Sequence, residues 1–280
     1  MKVIKQFDSY SSKVELVEID GKQFVLKTAE PQEIATEKVY LKELKDRGFP
    51  TLNIIEAPNL KNDQLLLEYI PHSAGGLIFG SAQDYERFGK IVRKLHSIHY
   101  EYCFRITSEG KEEKLDWKSF LSGAFQKATE EQIEKKSDLS ASFLKDISKY
   151  VNGRILALDS NNIVYSLLHC DLHTGNTLGK NEEIVLYDKG SEIFSGHHPY
   201  DLVTIVDHSP NGTYIHTDNP ENKNDLEVIT SFIRGYGEDF LVKYKTEFNL
   251  YMVIRSLWRY PSSFTPYTKE IMENIVYERI

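Results

Sequence analysis

Residues 14–19 run apolar, polar, apolar, with Val14, Leu16, Val17 and Ile19 as the apolar positions. This short period predicts a strand. The Asp20-Gly21 pair predicts a hairpin turn, and Phe24-Val25-Leu26-Lys27 the returning strand. From residue 31 the period lengthens. Ile34, Leu41 and Leu44 recur at helical spacing, Pro31 suits a first helical turn and Gly48 the position past the end, so residues 31–45 read as a helix. Ile54-Ile55 and residues 65–70 read as two further strands around a polar turn at Lys61-Asn62-Asp63. Residues 71–80, with His72, Ser73 and Gly75-Gly76, read as a linker. Beyond it Phe88, Ile91, Val92, Leu95 and Ile98 form one helical stripe, and residues 117–147 predict two helices parted near Ser137. Residues 163–168 and 184–187 are short strand-like runs, and residues 226–240 and 250–258 close the chain as helices. The pattern shows no internal repeat. It predicts an α+β chain with a small β-rich lobe over residues 1–70 and a larger helical lobe over 71–280.

The chain of 280 residues is 40% hydrophobic and 27% charged, a globular balance with enough length for two lobes. A net charge of −8 argues against nucleic acid as a partner and favours encounter with a cationic small molecule, or simply serves solubility. Cys103 and Cys170 stand far apart without Cys-x-x-Cys spacing, so neither a disulfide framework nor a zinc site is expected. Residues 1–12 hold no apolar signal region, and runs such as Leu65-Leu66-Leu67 are too short to span a bilayer. The expectation is a cytoplasmic protein without a membrane partner.

The chemistry concentrates in His169-Cys170-Asp171-Leu172-His173-Thr174-Gly175-Asn176, delivered to a loop by the apolar run before it. Further on, a second strand-like run ends in Asp188-Lys189-Gly190. Phosphoryl transfer needs such a set: one carboxylate to orient or deprotonate the attacking hydroxyl, and an oxygen pair to hold magnesium on the phosphates. These residues resemble the protein-kinase-like superfamily, and within it the aminoglycoside phosphotransferase and choline kinase group. Residues 169–176 match the catalytic-loop pattern His-x-Asp-Leu-x-x-x-Asn, and Asp188-Lys189-Gly190 occupies the place of Asp-Phe-Gly. The resemblance implies a two-lobed kinase-like fold, with Asp171 as catalytic base, Asn176 and Asp188 as Mg2+ ligands, and His169 bracing the loop. It further implies that Lys27 contacts phosphate and pairs with a glutamate on the next helix. Glu37 is the best candidate because it shares the apolar face, with Glu33 and Glu43 as competitors. Leu67-Glu68-Tyr69-Ile70 would form the hinge whose backbone meets the purine of ATP or GTP. Leu95-His96 resembles a helix ending common in the phosphotransferases.

Departures from the pattern narrow the reading. Cys170 stands where protein kinases carry an arginine, and no Ala-Pro-Glu follows Asp188. Instead Asp201-Leu202 follows, as in the aminoglycoside phosphotransferases. The nucleotide loop Asp8-Ser9-Tyr10-Ser11-Ser12 has no glycine, leaving Ser11, Ser12 and backbone amides to hold phosphate. His197-His198 lacks carboxylates at ligand spacing and reads as a plain loop, while His96 and His99 read as helix packing. Arg255, Trp258 and Arg259 share one helix and read as packing with Tyr251. Asp207, Asp218, Glu221, Asp225, Glu227, Glu238 and Asp239 form an acidic stretch that could meet a cation or simply be solvated. The leading expectation is phosphorylation of a cationic hydroxyl compound, as in aminoglycoside resistance to antibiotics. A choline- or sugar-type metabolic kinase and a nucleotide-binding pseudokinase scaffold are the rivals.

Overall fold

The computed structural model describes residues 1–7, 9, 12–71, 81–180, 183–207, 223–260 and 268–278. The linker at 72–80 and Ser11 lie outside these. The chain forms two compact units: residues 1–80, 104–114 and 169–194 make the first, and 81–103, 115–168 and 195–280 the second.

The first unit is built on an antiparallel sheet in the order β1 (Lys2–Phe7), β2 (Lys13–Ile19), β3 (Lys22–Thr28), β4 (Gln64–Glu68). The β2–β3 hairpin closes at Asp20-Gly21, with φ of 51° and 74°. Two left-handed residues give the turn the twist its strands need, and Asp and Gly tolerate that region best. Val17, Leu26 and Leu66 form the buried centre of one sheet face, covered by Ile19, Phe24, Ile55, Ala57 and Leu60. Helix α1 (Pro31–Asp46) starts on its proline and buries Ile34, Glu37, Tyr40, Leu41 and Leu44. Residues 53–55 pair with β4 through Ile55 N–H to Leu66 O (2.9 Å) and Glu68 N–H to Asn53 O (3.0 Å), yet only one bridge, Ile54 with Leu67, forms. The expected strand at Ile54-Ile55 is therefore a single bridge and not a full ladder strand. Two hairpins complete the unit: Phe104–Ile106 with Glu112–Lys114, and Thr177–Lys180 with Glu183–Leu186.

The second unit is mainly helical: α2 (Ala82–His96), α3 (Trp117–Glu134), α4 (Ala141–Ala157), α5 (Pro199–Asp207), α6 (Lys223–Tyr236), α7 (Lys245–Arg259) and α8 (Thr268–Val276). Three short strands, His99–Tyr100, Tyr165–Leu167 and Ser195–His197, pair antiparallel beside them. Helix α7 is the centre, burying Phe248, Leu250–Ile254 and Leu257 against α3, α4, α5 and α8. Helices α2 and α6 meet through glycines. A Cβ at Gly89 would lie 2.2 Å from the main-chain oxygen of Phe232, and one at Gly235 would lie 2.0 Å from that of Glu86. No side chain fits at either position. The helix expected over 226–240 stops at Tyr236, because Gly237 takes a φ of 142°, and a separate turn follows at Phe240–Lys243. Among the described residues no helix is long and apolar enough to cross a membrane.

Candidate active site

Strand β3 lies between β2 and β4, so Lys27, opposite Val14 on one side and Leu65 on the other, projects from the middle of the sheet. It is 7% exposed. Its Nζ donates to Glu37 Oε2 at 2.6 Å and also to the Asp188 carboxylate. Glu37, 1% exposed on the inner face of α1, uses its other oxygen to accept the main-chain N–H of Asp188 at 3.2 Å. One buried carboxylate therefore fixes both Lys27 and Asp188. Burial pulls the Lys27 ammonium toward its neutral form, but Glu37 and Asp188 together outweigh that and hold its pKa above the ordinary lysine value. Asp188 itself sits at φ 59°, a left-handed conformation that Asp tolerates better than bulky residues.

The loop from His169 to Asn176 is braced by the same hairpin that ends in Asp188. Thr177 pairs with Leu186, so Asn176 and Asp188 flank the open end of that hairpin. Tyr187 joins them: its N–H donates to Asn176 O (3.2 Å), its hydroxyl to Gly175 O (3.1 Å), and its carbonyl accepts His169 Nε2–H (2.9 Å). Burial first, then the carboxylates of Asp188 and Glu37, push the Tyr187 hydroxyl up to about 12, so it stays a donor. The ring of His169 packs edge-on against Tyr40 of α1 at 5.6 Å. Asn176 Nδ2 donates to Asp171 Oδ2 (2.9 Å) and to Asp171 O (3.0 Å), which leaves its Oδ1 as the atom able to bind a cation. His173 Nδ1 accepts Gly175 N–H at 3.1 Å, and its Nε2 lies 3.5 Å from Asp171 Oδ2. The Asp171 side chain is 38% exposed, open to an incoming group.

Lys189 is the residue that sequence reasoning passed over. Only 3% exposed, its ammonium donates to the carbonyls of Gly190 (2.7 Å) and Ile193 (2.5 Å) and lies 5.4 Å from the centre of the Phe194 ring. Cys170, at φ 66°, also donates its thiol to Ile193 O at 3.2 Å. On the other side of the unit, the Glu68 carboxylate accepts from Asn53 N–H (2.8 Å), Asn53 Nδ2 (3.1 Å) and Lys180 Nζ (2.5 Å). Burial pushes that carboxyl up, but the bonds from Lys180 and Asn53 outweigh it and hold it below its usual value. With the side chain engaged, what β4 offers a ligand is backbone. Ile70 is half-buried two residues on, and the Ser12 hydroxyl lies 3.0 Å from that of Ser9.

In the second unit His96 bridges Tyr236 OH (2.9 Å) and Asp201 Oδ2 (3.0 Å), with Asp201 fully buried. Trp117 Nε1–H donates to Tyr251 OH at 3.1 Å, and that hydroxyl reaches His197 Nδ1 at 2.9 Å. Burial pushes His197 down to about 4 and His198 to about 2; His197 is buried and His198 half-buried. Among the described residues no three His, Cys, Asp or Glu converge as a metal cage. The guanidinium groups of Arg255 and Arg259 lie 5.3 and 5.8 Å from the centre of the Trp258 ring. Glu227, Glu238 and Asp239 are exposed, while the side chains of Asp207, Asp218, Glu221 and Asp225 lie outside the described residues.

The phosphotransferase enzyme family matches residues 3–186, a span that takes in Lys27, Glu37 and the whole loop through Leu186. The chain belongs to that family. No curated protein matches this phosphotransferase. Its fold is that of solved kinases of the aminoglycoside phosphotransferase and choline kinase group. It is similar to an amicoumacin kinase, hAmiN, in complex with AMP-PNP, Ca2+ and Ami, at 13% identity, TM-score 0.65, covering 98% of this chain and 88% of that one. It is similar to a thermostable mutant of aminoglycoside phosphotransferase APH(4)-Ia at 12% identity, TM-score 0.66, covering 99% and 95%. A choline kinase, LicA from Streptococcus pneumoniae, matches at 15% identity, TM-score 0.59, covering 99% and 93%. At these identities the likeness establishes the fold, and the family match makes the chain a small-molecule kinase.

Proposed function

We propose that this phosphotransferase moves the γ-phosphate of ATP or GTP onto a hydroxyl of a small cationic acceptor. The observation that carries the reading is the convergence, within one compact unit, of the Lys27–Glu37–Asp188 cluster and the Asp171–Asn176 pair. Asp188 and the Oδ1 of Asn176 would hold magnesium. This donor set fits the ion, which takes one or two protein oxygens and completes its shell with phosphate and water. Held there, the ion would supply positive charge to the phosphate oxygens. Lys27, already cationic and buried, would leave Asp188 to the ion and turn its ammonium to the phosphates, with Glu37 keeping it in place. Asp171, held by Asn176 and half open, would orient the acceptor hydroxyl and take its proton. The β4 exit at Glu68 to Ile70 would present backbone to the purine, and Ser11 and Ser12 would cover the phosphates. The amicoumacin kinase solved with AMP-PNP supports an adenine nucleotide. The cationic acceptor rests on the net charge of −8.

The test is thermal stabilisation by nucleotide with magnesium. Wild type should be stabilised by ATP or GTP, and Asp188→Ala should lose most of that shift. A wild type that neither nucleotide stabilises would overturn the reading.

A further inference from the structure

Lys180 is the last residue of the strand Thr177–Lys180, at the far end of the hairpin whose open end carries Asn176 and Asp188. Its ammonium does not point to solvent. It donates to Glu68 Oε1 at 2.5 Å and to the Thr51 carbonyl at 3.0 Å. Glu68 in turn holds Asn53 by main chain and side chain, and Asn53 O accepts Glu68 N–H at 3.0 Å. Lys180 and Glu68 side chains are 25% and 23% exposed, so this node is partly screened from water and worth more than an open surface pair.

We infer that Lys180 is a positioning residue that ties the hairpin bearing Asn176 and Asp188 to the end of β4, and so fixes the distance between the phosphate and purine ends of the nucleotide site. The inference rests on the proposed function, since it needs a nucleotide that spans both ends. Two rigid elements bind one ligand tightly only when their spacing matches it. A hairpin anchored by its far end cannot pivot about Asn176 without breaking the bonds to Glu68 and Thr51. The sequence gives no hint of this, because a lysine at a hairpin tip reads as solvated charge.

The experiment compares wild type with Lys180→Met, which keeps the apolar stem, and Lys180→Arg, which keeps the charge and can reach both acceptors. Calorimetric affinities are measured for Mg-ATP and for magnesium tripolyphosphate, which has no purine end, alongside KM and kcat. Losing the two charge-assisted bonds in Lys180→Met should weaken ATP binding and raise its KM roughly tenfold, with kcat within about twofold. Tripolyphosphate affinity should not change, which also shows that the phosphate end is still folded. Lys180→Arg should restore most of the ATP affinity. A Lys180→Met protein that binds ATP as wild type does, or that loses ATP and tripolyphosphate equally, overturns the inference. A wild type that binds no Mg-ATP overturns the proposed function instead.

Discussion

Replacing Lys27 by methionine removes the ammonium that Glu37 accepts, and the consequence for stability can be worked out. Of its two partners, Asp188 has a side chain 41% exposed and can turn to water, whereas Glu37 is 1% exposed and cannot. The orphan is Glu37, left among the described residues as a buried carboxylate with the Asp188 N–H at 3.2 Å. Removing one partner of a buried pair costs about 3–5 kcal/mol; because Asp188 escapes, the low end applies. For a chain this long about 3 kcal/mol lowers Tm by roughly 6–12 °C. The pH dependence has a definite sign. In wild type the Lys27 pKa lies above its ordinary value, so its contribution is complete everywhere below the ordinary lysine range and does not vary near neutrality. The deficit in Tm is therefore read at pH 8, well inside that range. Adding Glu37→Gln should recover part of it, since a neutral amide is cheaper to bury than an orphaned charge. Thermal melts of wild type, both single variants and the double variant are the assay. A Lys27→Met protein that melts with wild type at pH 8 would refute the picture of Glu37 as a buried, paired carboxylate.

At the α2–α6 crossing, Gly235→Ala gains about 1 kcal/mol of helix propensity but drives a Cβ to 2.0 Å from the Glu86 carbonyl. Overpacking of this kind costs about 1–3 kcal/mol, more when backbone must move, so chemical denaturation should show net destabilisation; an unchanged or raised midpoint would contradict the contact. For the acceptor, exposed ion pairs are screened over about 8–10 Å near physiological salt. Acceptor KM should climb steeply with ionic strength at nearly constant kcat in steady-state assays, and a salt-insensitive KM for a neutral sugar would favour the metabolic-kinase reading.

What was legible in the sequence follows from where its signals lie. The Asp20-Gly21 turn and the Pro31 start are local chemistry, and both elements formed where they were read. Glu37 was separable from Glu33 and Glu43 because its spacing to Ile34 and Leu41 put it on the buried face, and the bond to Lys27 is made from that face. Strand β1 was missed because its residues are exposed almost throughout, so no alternation marks them. The strands Phe104–Ile106 and Ser195–His197 are too short to show a period. Lys189 and Lys180 were given no role, since nothing local reveals that carbonyls or a distant glutamate receive their ammonium groups. The Gly89 and Gly235 contact depends on tertiary approach alone.

The most direct test of the account is acceptor-dependent ADP formation, measured for wild type and Asp171→Ala against a panel of aminoglycosides, choline-like amines and sugars. The account predicts that wild type consumes magnesium nucleotide with at least one cationic acceptor. It predicts that Asp171→Ala loses about 10²–10⁴ in turnover, the range for a lost general base, while nucleotide affinity changes far less. Near-normal turnover in Asp171→Ala, or a wild type that binds nucleotide but transfers phosphate to no acceptor, would contradict it.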